Sequence, residues 1–93
     1  MELIDQVLIP VETIAPGMFP SERAVKVRGV DDRELTLFVD ERLIEPRGHH
    51  SYLLVTRLES DPSSGISVCL LPADATQGTR WVRIRNTSLV EAA

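Results

Sequence analysis

Long apolar runs are missing from this 93-residue chain, and no stretch approaches the ~20 residues that a membrane-spanning helix needs. The opening "MELIDQVLIP" also lacks the basic start and small-residue cleavage site of a secretory signal. The expectation is therefore a cytoplasmic protein without membrane contact. Cysteine occurs once, at Cys69, which excludes an intramolecular disulfide and fits a reducing compartment. Only four aromatics are present, Phe19, Phe38, Tyr52 and Trp81, so a core must be built from Leu, Ile and Val. Lysine also occurs once, at Lys26, beside nine arginines, a bias that reflects either genomic base composition or a use for planar guanidinium contacts. The net charge of -4 argues against nucleic-acid binding through overall charge, while leaving room for a local basic patch.

Catalytic motifs are lacking too. The chain has no Walker A loop, no GxGxxG, no GxSxG and no HExxH. His49 and His50 are neighbours in "PRGHHSY", where strand geometry would point them apart, and no second His or Cys pair completes a metal site. They read as solvated loop residues. Cys69 lies in an apolar strand and reads as a structural thiol. Asp31-Asp32 suit a turn and Asp40 suits a helical cap, so neither carboxylate pair calls for catalysis. No catalytic residue, metal ligand or cofactor is expected.

What the chain does contain is strand signal. At 93 residues it has the length of one domain, 1–93, and 43% hydrophobic with 26% charged residues is ordinary globular composition. Short Val/Ile/Leu/Thr runs punctuated by Pro, Gly, Asp and Ser predict strands near 3–9, 23–29, 34–39, 51–59, 65–71 and 81–85. Pro10, Pro16, Gly17 and Pro20 mark 10–21 as an irregular connection, with Met18 and Phe19 read as cover for the core or, less commonly, a docking element. The strands at 23–29 and 34–39 form a hairpin whose apolar faces demand a loop of three or five residues, with Val27 opposite Leu37 and Val25 opposite Val39. "YLLVTRL" and "ISVCLL" are apolar on both parities, which predicts a central pair covered on both faces.

An echo links "LFVDERLIE" (37–45) and "VRIRNTSLVE" (82–91). In each, a strand meets Asp40 or Asn86, an expected cap, and a single helical turn then returns Leu43-Ile44 or Leu89-Val90 to the core. Chance and duplication both account for the recurrence. The expected fold class is all-β, a small barrel of five to six short antiparallel strands, SH3-like with an OB-like alternative, carrying one or two single helical turns.

The last strand, "TRWVRIRN", sets the only tryptophan in the same two-residue rhythm as arginine. Side chains alternate along a strand, so Val82 and Ile84 take the core while Trp81, Arg83 and Arg85 face outward. If this strand shares a sheet with the 23–39 hairpin, Lys26, Arg28 and Phe38 join the same basic, aromatic face. Trp and Arg favour interface hot spots, and the expected occupant is an acidic protein partner. Single-stranded nucleic acid, stacking on Trp81 and Phe38, is the alternative. The competing explanation is a solvated face with Trp81 covering a barrel end. A small-molecule pocket in the barrel mouth has no residue signature.

Overall fold

A computed structural model describes residues 5–92. Among them are nine strands: β1 (Asp5–Val11), β2 (Thr13–Pro16), β3 (Glu22–Arg28), β4 (Glu34–Asp40), β5 (Ile44–Arg47), β6 (His50–Asp61), β7 (Ile66–Leu70), β8 (Trp81–Arg85) and β9 (Val90–Glu91). Two single 3₁₀ turns, Glu41–Leu43 and Asn86–Ser88, complete the regular structure. All strand pairs are antiparallel. One sheet runs β8-β7-β6-β1-β9 with β5 also on β6, and the other runs β2-β3-β4.

The two sheets bury one aliphatic core. Val7 and Ile9 of β1, Leu53 and Val55 of β6, Cys69 of β7 and Val82 and Ile84 of β8 meet Val25 and Val27 of β3 and Leu35, Leu37 and Val39 of β4. No aromatic belongs to this cluster, as the composition requires. The expected centre holds, since β6 pairs with β1, β5 and β7. Its expected burial on both faces does not. Leu53, Val55 and Cys69 are buried, while Leu54, Val68 and Leu70 on the other parity are only half-buried.

The hairpin of β3 and β4 keeps the expected parity with a shifted register. Val27 stands opposite Leu35 and Val25 opposite Leu37, two residues from the pairing read in the sequence. The same faces meet, because a shift of two preserves parity. Arg28 opposite Glu34 leaves residues 29–33 as a five-residue loop, within which Asp32 adopts a positive φ of 64°. The segment 10–21 is more ordered than its prolines imply. It contains β2, which Pro16 closes at the edge of its sheet, where a missing N–H breaks no ladder.

The barrel itself is the main correction: neither sheet closes on itself. β1 and β2 pass the chain from one sheet to the other around Glu12, whose N–H donates to Lys26 O at 2.8 Å. On the opposite side, β4 and β8 form no ladder. That seam holds by isolated bonds from loops, Val30 N–H to Arg83 O (2.9 Å), Thr76 N–H to Thr36 O (2.7 Å) and Thr36 N–H to Gln77 Oε1 (3.1 Å). Gly29 permits the approach, since a Cβ there would lie 3.1 Å from Arg83 O.

The echo is visible as strand, 3₁₀ turn, strand in both places, with different roles. Leu43, Ile44 and Leu89 pack against the core. Asp40 caps its turn by accepting from Arg42 N at 2.9 Å. Asn86 does not cap. It is the first residue of its turn, and its Oδ1 accepts the hydroxyl of the fully buried Ser67.

Candidate functional site

β8 behaves as its alternation predicts. Val82 and Ile84 are buried and Trp81 is 55% exposed, with Arg83 and Arg85 exposed beside it. Thr79 holds the start of the strand, its Oγ1 accepting from Trp81 N at 3.2 Å. Arg80 turns back and donates to Leu71 O (3.0 Å) and Pro72 O (3.3 Å), so the first arginine of "TRWVRIRN" clasps a loop. Arg83 and Arg85 are different. Among the described residues, Arg23, Arg28, Arg42, Arg47 and Arg57 each pair with a carboxylate, whereas Arg33, Arg80, Arg83 and Arg85 have no carboxylate partner, and of these Arg83 and Arg85 lie on β8 beside Trp81.

The six residues expected on one face are divided between two sheets. Trp81, Arg83 and Arg85 lie on the outer face of the larger sheet. Lys26, Arg28 and Phe38 lie on the outer face of β3 and β4 in the smaller one. The hairpin does not share a sheet with β8, and the single stripe therefore does not form. Arg28 is further disqualified by its partners. It bonds Glu12 (3.0 Å), Glu34 (2.9 Å) and the carbonyl of Asp32 (2.9 Å). The Arg28 hydrogen bond holds the Glu12 carboxyl below its ordinary range, as expected for a carboxylate paired with a guanidinium. Phe38, 39% exposed, stands beside Ala24 with no second aromatic across the ladder.

The structure adds a residue that the sequence reading omits. Arg33, in the 29–33 loop, lines a cleft of about 190 Å³ with Asp31, Leu35, Thr79, Trp81 and Arg83. Asp31 is already engaged there, its Oδ1 accepting from Arg33 N at 3.2 Å. The only sequence signal for Arg33 was the odd loop length, which does not say that the loop closes against β8.

The remaining candidates separate cleanly. His49 and His50 are exposed at the turn into β6, and no cluster of three or more His, Cys, Asp or Glu side chains is arranged for a metal among the described residues. Cys69 is fully buried, and desolvation pushes its thiol up to about 11. Met18 and Phe19 are not core cover. They are 82% and 64% exposed at the tip of the β2-β3 hairpin, which is held by Gly17 N–H to Glu22 O (2.9 Å) and Met18 N–H to Glu22 Oε1 (2.8 Å). No helix among the described residues is long and apolar enough to cross a membrane. No family model matches the chain, and neither does any curated protein or solved structure.

Proposed function

We propose that this protein is a non-enzymatic docking module or accessory subunit that binds an acidic protein partner through Trp81, Arg83 and Arg85, with Arg33 at the margin. The supporting observation is the pairing pattern: among the described residues, the exposed guanidinium groups of β8 have no carboxylate partner, whereas five of the other seven arginines do. An exposed indole flanked by such groups combines apolar area with charge-assisted hydrogen bonding, the combination that anchors protein interfaces. A reducing, cytoplasmic setting suits the single buried thiol. The separation of Phe38 from Trp81 weakens the nucleic-acid alternative, because a strand of bases would find one stacking platform rather than two.

Trp81 is the only tryptophan, so its fluorescence reports directly on the site. Titration with a glutamate- and aspartate-rich peptide should shift its emission, and Arg83→Ala/Arg85→Ala should weaken that response about tenfold. Poly-uridine RNA in place of the peptide is the competing arm. A response to RNA alone, falling steeply between roughly 50 and 200 mM salt, would favour the nucleic-acid reading. No response to the peptide, with an unchanged set of partners for Trp81→Ala/Arg83→Ala in pull-downs, would remove the proposal.

A further inference from the structure

The outer face of the larger sheet carries a charge pattern that spans three strands. Directly opposite residues on neighbouring strands share a face. Arg83 stands opposite Val68, which stands opposite Glu59, and Arg85 stands opposite Ile66, which stands opposite Asp61. In the next row, Trp81, Leu70 and Thr56 are aligned. Buried Ser67 and Cys69 point to the core from β7, so Ile66, Val68 and Leu70 point outward. The face thus reads as a basic column on β8, an apolar column on β7 and an acidic column on β6.

A bulge creates the acidic column. The register shifts between Arg57 and Glu59, so two residues of β6 occupy one step of the ladder. Leu58 is the extra residue and is 48% exposed. Without the shift, the alternation that places Thr56 outward would place Ser60 outward and turn Glu59 and Asp61 away. Asp61 uses Oδ1 to accept from Ser63 N (3.0 Å) and Ser63 Oγ (2.7 Å), which stiffens the end of the column.

We infer that the acidic partner of β8 is a second copy of this chain, docked face to face about a two-fold axis parallel to β7. Such an axis exchanges the columns on either side of β7 and preserves position along the strands. Arg83 then meets the second copy's Glu59, Arg85 meets its Asp61, and Trp81 meets its Thr56 and Leu58. Ile66, Val68 and Leu70 pack against their own counterparts. Each charge contact occurs twice, as an isologous interface requires. The inference rests on the reading of β8 as a docking strand and names its occupant. Three strands about 4.8 Å apart make a contact smaller than the ~800 Å² per partner of a standard interface. The dimer is therefore weak, with a dissociation constant in the micromolar range or above.

Sedimentation velocity of the full chain from roughly 10 µM to 1 mM is the test. The wild type should pass from monomer to dimer, less readily as salt rises. Arg83→Glu/Arg85→Glu and Glu59→Lys/Asp61→Lys should each weaken the dimer at least tenfold, because each sets like charges together twice. An equimolar mixture of these two variants should restore it as a heterodimer, a recovery that misfolded chains would not show. A wild type that stays monomeric at every concentration overturns the inference, as does a dimer indifferent to both reversals. In either case, a retained emission response of Trp81 to acidic peptide would leave the docking strand standing. Loss of both would remove both.

Discussion

Asn86 shows how one side chain can be chosen for a reason its sequence position hides. A strand running into Asn predicts a helical cap, yet its Oδ1 is taken by Ser67, whose hydroxyl is sealed from water. Removing the acceptor strands a buried donor, so Asn86→Ala should cost about 1–3 kcal/mol in urea unfolding. Ser67→Ala in the Asn86→Ala background should recover part of that loss, because the stranded hydroxyl is then gone. Cys69 sets a limit on the alkaline side. Its folded pKa of about 11 exceeds the ordinary 9.0, so its contribution is complete below the lower value and is lost as pH rises toward the upper one. Thermal melts should show stability falling between those values, and Cys69→Ala should reduce the fall. The native thiol should also resist alkylation at neutral pH until the protein is unfolded. Asp40, Asp61 and Glu12 act in the opposite direction. The Arg42 amide, the Ser63 hydroxyl and the Arg28 guanidinium respectively hold these carboxyls below their usual range. Their contribution is present above about pH 4 and is lost as pH falls through the depressed values.

At the scale of the element, parity explains β8 and misleads for β1. Val7 and Ile9 face the core, and alternation assigns Leu8 to the outside. Leu8 is nevertheless only 2% exposed, between Leu54 of β6 and Val90 of β9 on the outer face. The short ladder of β9 therefore seals apolar area that a six-strand reading leaves in water. Leu8→Ala should cost about 2–4 kcal/mol, the range of a buried leucine, whereas an exposed leucine would cost under ~1. Denaturant midpoints distinguish the two. The same logic applies to the seam between β4 and β8. Gly29→Ala brings a Cβ within 3.1 Å of Arg83 O and should destabilise that approach, shifting the emission of nearby Trp81.

For the whole molecule, most ladders join strands consecutive in sequence, but β1 near the N-terminus meets β6 and β9 far along the chain. The β1 ladders must close large loops before their contacts form, so folding should proceed in milliseconds to seconds. Stopped-flow refolding followed by Trp81 fluorescence measures it. A microsecond phase accounting for the full signal would contradict the topology.

Residues a few positions apart already determine much of this fold. The all-β class, the aliphatic core, the odd hairpin loop, the Asp40 cap and the orientation of Val82, Ile84 and Trp81 all follow from alternation and turn chemistry, which depend on residues within a few positions of one another. Which strands become neighbours is a different matter. Whether β8 joined the hairpin, whether the sheets closed, and whether Glu59 faced the same way as Arg83 depended on long-range pairing and on one bulge. Local sequence cannot encode these choices, because each arises from the summed packing of two sheets over a shared core. Tertiary structure alone divided Lys26, Arg28 and Phe38 from Trp81, Arg83 and Arg85 and set an acidic column on the same face as the basic one, across the apolar column of β7.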